Sequence, residues 1–204
     1  MIRSTLTRLS LVAAATAALG GCALLSSPDP VQTYRFGTTA AASSPNVGTT
    51  LSSLGLRRVE FPEAVEGDRL LGVTGTETAY IKGARWVSPA SDLYMESLEN
   101  AFAAQATRVR LVGPREVVRT GRSLDIDIRA FEARYDTPGA APTIVITARA
   151  RITALPDRNV SAERMFTVEQ PANENRVGAI VAAFDTASRD LNTQIVAWTD
   201  ANAG

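Results

Sequence analysis

The chain has 204 residues, 45% of them hydrophobic and 21% charged, with 21 Lys+Arg balanced by 21 Asp+Glu and a pI near 6.4. That composition supports one domain with a real core, and the neutral balance lacks the basic footprint that a phosphate backbone requires, so nucleic acid is not an expected partner. Histidine is absent and Cys22 is the sole cysteine, which removes Ser-His-Asp and Cys-His catalysis, disulfides and zinc sites built from imidazole or paired thiolates. No cofactor is expected.

Residues 1–21 carry Arg3 and Arg8, then a small-residue apolar stretch from Leu9 to Leu19, and lead to Cys22. This is the layout of a secretory signal peptide, and the stretch is too short for the roughly 20 apolar residues of a membrane span. Leu19-Gly20-Gly21-Cys22 resembles the lipobox of bacterial lipoproteins. The resemblance implies cleavage before Cys22 and acylation of its thiol and new amino group. Ala23 stands where an Asp would be the inner-membrane retention signal in such lipoproteins, so the same resemblance implies the outer membrane. One acyl chain holds a protein marginally, whereas two or more anchor it stably.

Residues 22–53 read as a lipidated terminus and flexible tether, poor in bulky apolar side chains, with a short strand at 32–36 that places Tyr34 and Phe36 on one face. The domain proper is expected at 54–201. Leu54, Leu56, Val59 and Phe61 suggest a strand interrupted at Arg57-Arg58, and Pro62 opens a helical turn through Val65. Leu70 to Val73, Glu77 to Ile81 and Ala84 to Val87 read as a hairpin with Gly72 and Gly75 near its bend. Ser88 or Ser91 is placed to cap a helix bearing the stripe Tyr94, Leu98, Ala101 and Phe102, ending near Ala106.

A short strand follows at Val109 to Val112. Ser123 to Tyr135 then alternates with Leu124, Ile126, Ile128 and Ala130 on one face, continued after the turn DTPGAAP by Ile144, Ile146, Ala148, Ala150 and Ile152. A turn centred on Gly139 sets Asp127 opposite Arg151, and a second turn at Leu155-Pro156-Asp157 brings Glu163 to the other side of Arg151. The outer face thus predicts a charge row Asp127, Arg151, Glu163 across three antiparallel strands. The last element is a helix from about Glu174 to Thr199, with Val177, Ile180, Val181, Phe184, Ala187, Leu191, Ile195 and Trp198 at helical spacing. The expected fold is therefore α/β (α+β): one domain, a mostly antiparallel sheet, a mid-chain helix and a long C-terminal amphipathic helix packed on it.

Candidate chemistry is sparse. Asp125-Ile126-Asp127 has the spacing of a metal-nucleotide DxD, but it lies on a strand face among Arg129, Arg149 and Arg151 and reads as a solvated network; no metal site is expected. No glycine-rich phosphate loop is present, and Lys82, the only lysine, has no serine or tyrosine partner at motif spacing. Tyr80, Arg85 and Trp86 at a hairpin end have the side-chain types of a contact surface; the alternative is that Trp86 is a core anchor beside the first helix.

The ordered set of lipobox, Tyr34-x-Phe36, Leu56 to Phe61 with Pro62, Asp68-Arg69-Leu70-Leu71, Arg85-Trp86-Val87, Asp92-Leu93 and a final helix ending in Trp198 resembles the ABC-type transport auxiliary lipoprotein family (PqiC-like). The resemblance implies a non-enzymatic lipoprotein on the periplasmic face of the outer membrane, in a lipid or organic-solvent transport system of the MCE type. Its partner would be the MCE-domain protein of an ABC transporter, anchored in the inner membrane and reaching across the periplasm to dock here, and a ring of copies is compatible with that role. Two other classes stay open: a lipoprotein that carries an acyl chain between the long helix and the sheet, and a structural or assembly lipoprotein of the envelope.

Overall fold

The structure, a computed structural model, describes residues 31–37 and 51–203. The expected signal peptide (1–21), Cys22 and most of the expected tether lie outside the described residues. The strands are β1 (Gln32–Tyr34), β2 (Ser52–Glu60), β3 (Arg69–Thr74), β4 (Glu77–Trp86), β5 (Val109–Val112), β6 (Arg122–Tyr135), β7 (Thr143–Ala154) and β8 (Asn159–Pro171). The helices are α1 (Glu63–Glu66), α2 (Ala90–Gln105) and α3 (Val177–Ala203).

All eight strands join one mixed sheet built around β6. Along one edge β6 pairs with β7 from Arg122 to Arg134, and β7 pairs in turn with the edge strand β8; both ladders are antiparallel. Its other edge is shared. β2 lies parallel to the first half of β6, from Leu54↔Arg122 to Glu60↔Asp127, and β3 lies parallel to the end of it, from Gly72↔Ala133 to Thr74↔Tyr135. The sheet therefore forks: β5 extends the β2 branch, while β4 and then β1 extend the β3 branch. The long ladders are antiparallel and the parallel ones short. Residues 61–68, which carry α1, leave the sheet at the fork.

A β-bulge explains how one strand serves both branches. Between Ile128 and Ala130 the ladder slips by one residue, and a bulge of this kind changes which side-chain parity faces the core. Leu124, Ile126 and Ile128 are buried before it; Phe131 and Ala133 are buried after it. Ala130, expected on the inner face by simple alternation, is instead only half-buried.

Both long helices serve the inner face. α3, about 40 Å long at 1.5 Å per residue, sets Phe184, Ala187, Leu191 and Ile195 against Ile144, Ile146, Ala148, Ala150 and Ile152 of β7, all with 0% exposure. α2 packs beside it, where the Asn192 side-chain amide donates to Ser97 Oγ at 2.9 Å. Neither expected serine caps α2: its N-cap is Pro89, with no side-chain cap, and Ser91 Oγ donates to the Glu66 carbonyl across the α1 turn. Phe36, Trp86, Phe131 and Phe184 form one aromatic cluster with neighbouring ring centroids 4.9–5.4 Å apart, within the preferred range for edge and offset contacts. Because Phe36 lies there, the short strand β1 is tied to the core by its own tail.

The far end of α3 is fixed differently. Asp200, almost buried at the helix end, accepts from the backbone N–H and hydroxyl of Thr107 at 2.7 and 2.9 Å and from the N–H groups of Arg108 and Val109 at 3.2 and 3.1 Å. One carboxylate thus satisfies the corner between α2 and β5, donors that would otherwise be unpaired.

Candidate functional site

The sheet face opposite the helices is open and charged, because alternation along β2, β6, β7 and β8 sends the polar residues there. Arg57 Nε donates to Asp125 at 2.9 Å, Arg149 Nη2 to Asp127 at 2.8 Å and Arg151 Nε to Glu163 at 2.7 Å, and Arg129 also meets Asp127 while Arg58 meets Glu60. The expected order within the row changes by one rung. Asp127 stands opposite Arg149, and it is Asp125 that faces Arg151. A turn centred on Gly139 would require residue numbers across the ladder to total 278. The turn closes one residue tighter, with Arg134↔Thr143, and the bulge removes one more, with Ile128↔Ala148. A slip of two residues keeps every side chain on its face, so the network survives with different partners.

The chemistry of this face is that of a solvated lattice of ion pairs. The Arg151 hydrogen bond holds the Glu163 carboxyl below the usual glutamate range. Each guanidinium named here is engaged by a carboxylate, so the face has no unpaired charge to give to a small anion, and among the described residues no group of three His, Cys, Asp or Glu side chains comes together as metal ligands. Asp125 and Asp127 are held by arginines.

The second candidate surface does not assemble as expected. The β3–β4 turn is at Gly75-Thr76, so Trp86 belongs to the base of the hairpin and not to its tip. Trp86 is 2% exposed, with its ring edge-on to Phe36 at 5.0 Å and to Phe184 at 5.4 Å. It is a core residue, which corrects its assignment to a contact surface. Tyr80 and Arg85 remain outside, but a long irregularity separates them: Leu71 faces Tyr80 while Arg69 faces Arg85, so residues 81–84 bulge from the ladder, with Gly83 at φ 75°. Each is used locally. The Arg69 guanidinium stacks 3.7 Å over the Tyr80 ring, the Tyr80 hydroxyl donates to the Ala64 carbonyl, and Arg85 Nη1 donates to both carboxylate oxygens of Asp68 at 2.9 and 2.8 Å.

The space beneath α3, where an acyl chain would have to sit, is filled by the 0%-exposed side chains of α3 and β7. A hollow of about 990 Å³ lies elsewhere, open between α2 and the β5 edge. Met95, Phe102 and Leu111 line it with Glu96, Glu99 and Arg115. Burial pushes the Glu99 carboxyl up, against the pull of Arg115. No helix among the described residues is long and apolar enough to cross a membrane.

A family model described as ABC-type transport auxiliary lipoprotein component matches residues 34–196. Among solved structures, the chain is similar to protein XCC0632 from Xanthomonas campestris, which carries the family designation DUF330: identity is 26%, TM-score 0.66, with 74% of this chain and 85% of that one covered. An uncharacterized protein is 14% identical at TM-score 0.60, covering 82% of this chain and 95% of its own. The hypothetical protein CT253 from Chlamydia trachomatis is 10% identical at TM-score 0.50, covering 75% and 98%. The last two share the fold alone. No curated protein matches the chain significantly.

Proposed function

The chain belongs to the family of ABC-type transport auxiliary lipoprotein components, and from that membership we propose that it is a non-enzymatic lipoprotein held by acylated Cys22 on the periplasmic face of the outer membrane, where it docks the periplasm-spanning MCE-type subunit of its transporter. The observation that carries the reading is the family match over 34–196, nearly all of the described domain. The geometry favours docking over lipid carriage. The apolar face of the sheet is consumed by helix packing, and the hollow beside α2 is open and edged by Glu96, Glu99 and Arg115.

The tether and anchor set the mechanism. Acyl chains fix the domain to a leaflet, and the segment after Cys22 lets it sample a volume of nanometre radius, so a partner arriving at that membrane meets a high effective concentration of the domain without any new contact. Neither step requires a reacting group. The test is a detergent pull-down of the native lipidated protein from envelopes, with proteins and lipids both analysed by mass spectrometry. Recovery of an MCE-domain protein with its permease and ATPase is the expected result; phospholipid alone in fixed ratio would favour a carrier instead, and binding to the sacculus would favour an envelope-structural role. Cys22→Ala should release the protein from the membrane fraction, and its retention there would remove the anchor from the reading.

A further inference from the structure

The two ends of the sheet differ in chemistry. At the end where β6 begins, three separate segments meet: the loop 113–121 between β5 and β6, the corner 106–108 between α2 and β5, and the turn between β7 and β8. Backbone bonds join them to the sheet and to one another, with the Leu155 N–H donating to the Gly121 carbonyl at 2.9 Å and the Ser52 N–H to the Arg108 carbonyl at 3.0 Å. Four of the eight large apolar side chains exposed among the described residues lie here: Val117, which is fully exposed, Val118, Leu155 and Val160. None contributes to the core, and natural surfaces do not usually gather exposed aliphatics in this way without a partner.

The same end is basic. Arg108, Arg119 and Arg158 are exposed and form no ion pair among the described residues, and Arg115 has only the longer-range attraction of Glu99. The nearby acids are Asp157, Glu116, which is already held by Arg110, and Asp200, which is almost buried and taken up by the N–H groups of 107–109. Unpaired guanidiniums around aliphatic side chains are the composition of a protein-binding centre and its rim. A basic apolar surface can also meet an anionic membrane, so the direction in which this end points decides between the two.

Register and chain length weigh against the membrane. Gln32 pairs with Ala84, Arg85 with Arg69, and Gly72 with Ala133, which puts the start of β1 level with Phe131 on β6. Arg122, at the basic end, is nine residues further down β6, eight rungs once the bulge is allowed for, about 26 Å at roughly 3.3 Å per rung. Cys22 precedes Val31 by nine residues. Such a segment reaches at most about 30–32 Å when fully drawn out and about 15–18 Å as a relaxed chain. With Cys22 as the anchor, standing the basic end on the same leaflet would require the segment to be drawn well beyond its relaxed length. That cost argues for a protein partner at this end over the leaflet itself.

We propose that this end, Val117, Val118, Leu155 and Val160 ringed by Arg108, Arg115, Arg119 and Arg158, is the docking surface for an acidic, apolar-centred patch on the periplasm-spanning subunit of the transporter. The inference rests on the docking function proposed above and names its surface. The test places a photocrosslinking amino acid at position 117 of the full-length lipidated protein in cells, with position 77, exposed at the opposite end of the sheet, as the control. The expected result is an adduct at 117 with the MCE-type subunit, absent at 77, that falls at least tenfold with the double variant Arg119→Glu/Arg158→Glu at unchanged melting temperature. Adducts at 117 with phospholipid would reassign this end to a membrane, and adducts with another copy of the chain would reassign it to self-association; either overturns the proposal. If the unmodified protein co-purifies the subunit but position 117 yields no adduct with it, the surface is wrong and the docking function stands. If the unmodified protein co-purifies no transporter subunit, the docking function itself falls and this surface with it.

Discussion

Replacing Trp86 separates a core residue from a contact residue by magnitude alone. The indole is 2% exposed and meets Phe36, Phe131 and Phe184 with centroids 5.0, 6.4 and 5.4 Å away. Truncating a buried tryptophan to alanine costs about 3–5 kcal/mol, the upper part of the range applying where neighbours cannot collapse into the space. Here the cavity would be walled by rings on three different segments, the tail of β1, β6 and α3, so we expect the upper part. For a domain of this size each kcal/mol moves the melting temperature by about 2–4 °C, giving a drop of about 8–20 °C. Trp86→Phe should behave differently. The indole Nε1 is buried without a hydrogen-bond partner, so phenylalanine keeps most of the ring contacts while removing a donor whose burial unpaired costs about 1–3 kcal/mol; a net change near 1 kcal/mol is expected. Both variants are measured by urea denaturation of the detergent-solubilised protein, with the slope checked for constancy before midpoints are compared. A Trp86→Ala protein within about 1 kcal/mol of wild type, yet unable to hold its partner, would refute the packing argument and return Trp86 to the surface.

Asp200→Ala strips the acceptor from three backbone N–H groups and one hydroxyl at residues 107–109, and should cost about 3–5 kcal/mol, as removal of one member of a buried charged network does; amide hydrogen exchange at 107–109 should accelerate more than elsewhere. A double-mutant cycle tests the register: Asp127 with Arg149 should show coupling of about 0.5–1 kcal/mol, and Asp127 with Arg151 almost none, the reverse being the signature of a ladder two residues out of step. Glu163 carries a pH dependence of definite sign. Its folded carboxyl titrates below the ordinary glutamate range because Arg151 donates to it, so the folded state binds fewer protons than the unfolded state in that window. Its contribution is present above the ordinary range and is lost as pH falls through the folded value. Wild type and Glu163→Gln should therefore differ in stability near neutrality and converge in acid, and a difference that grows on acidification would contradict the assignment.

Elements whose side chains repeat at a fixed period were legible in the sequence, and departures from a period were not. The α3 stripe was readable because one straight helix keeps Phe184, Leu191 and Ile195 on the same side for its whole length. β6 was readable only as far as Ile128. The bulge there inserts one residue, and the apolar parity passes from Leu124, Ile126 and Ile128 to Phe131 and Ala133. That change of parity is itself written in the sequence, since Glu132 and Arg134 take the even positions beyond it. It could have been taken as a bulge, which would have supplied one of the two residues of slip between Asp127 and Arg151. Trp86 carried a similar unused signal: Ala84 and Trp86 share a parity that Arg85 interrupts, as on a half-buried strand. What no local pattern gave is the irregularity at 81–84, which depends on β1 pairing with the base of the hairpin while β3 holds its arm.

The basic end was invisible for a stronger reason. Arg108, Val117, Arg119, Leu155 and Arg158 come from three connections, and no spacing rule relates positions on different loops. They meet because β5, β6, β7 and β8 each start or finish there, an arrangement set by the fork at β6. The overall charge conceals it as well. A chain with 21 basic and 21 acidic residues looks neutral, but Arg57, Arg129, Arg149 and Arg151 are matched by carboxylates on the open sheet face, while several loop arginines at the sheet end are not. Net charge excluded a polyanion as the partner for the whole molecule; it could not exclude an acidic partner for one end of it. The distinction is between a sum and a distribution, and only the strand register converts one into the other.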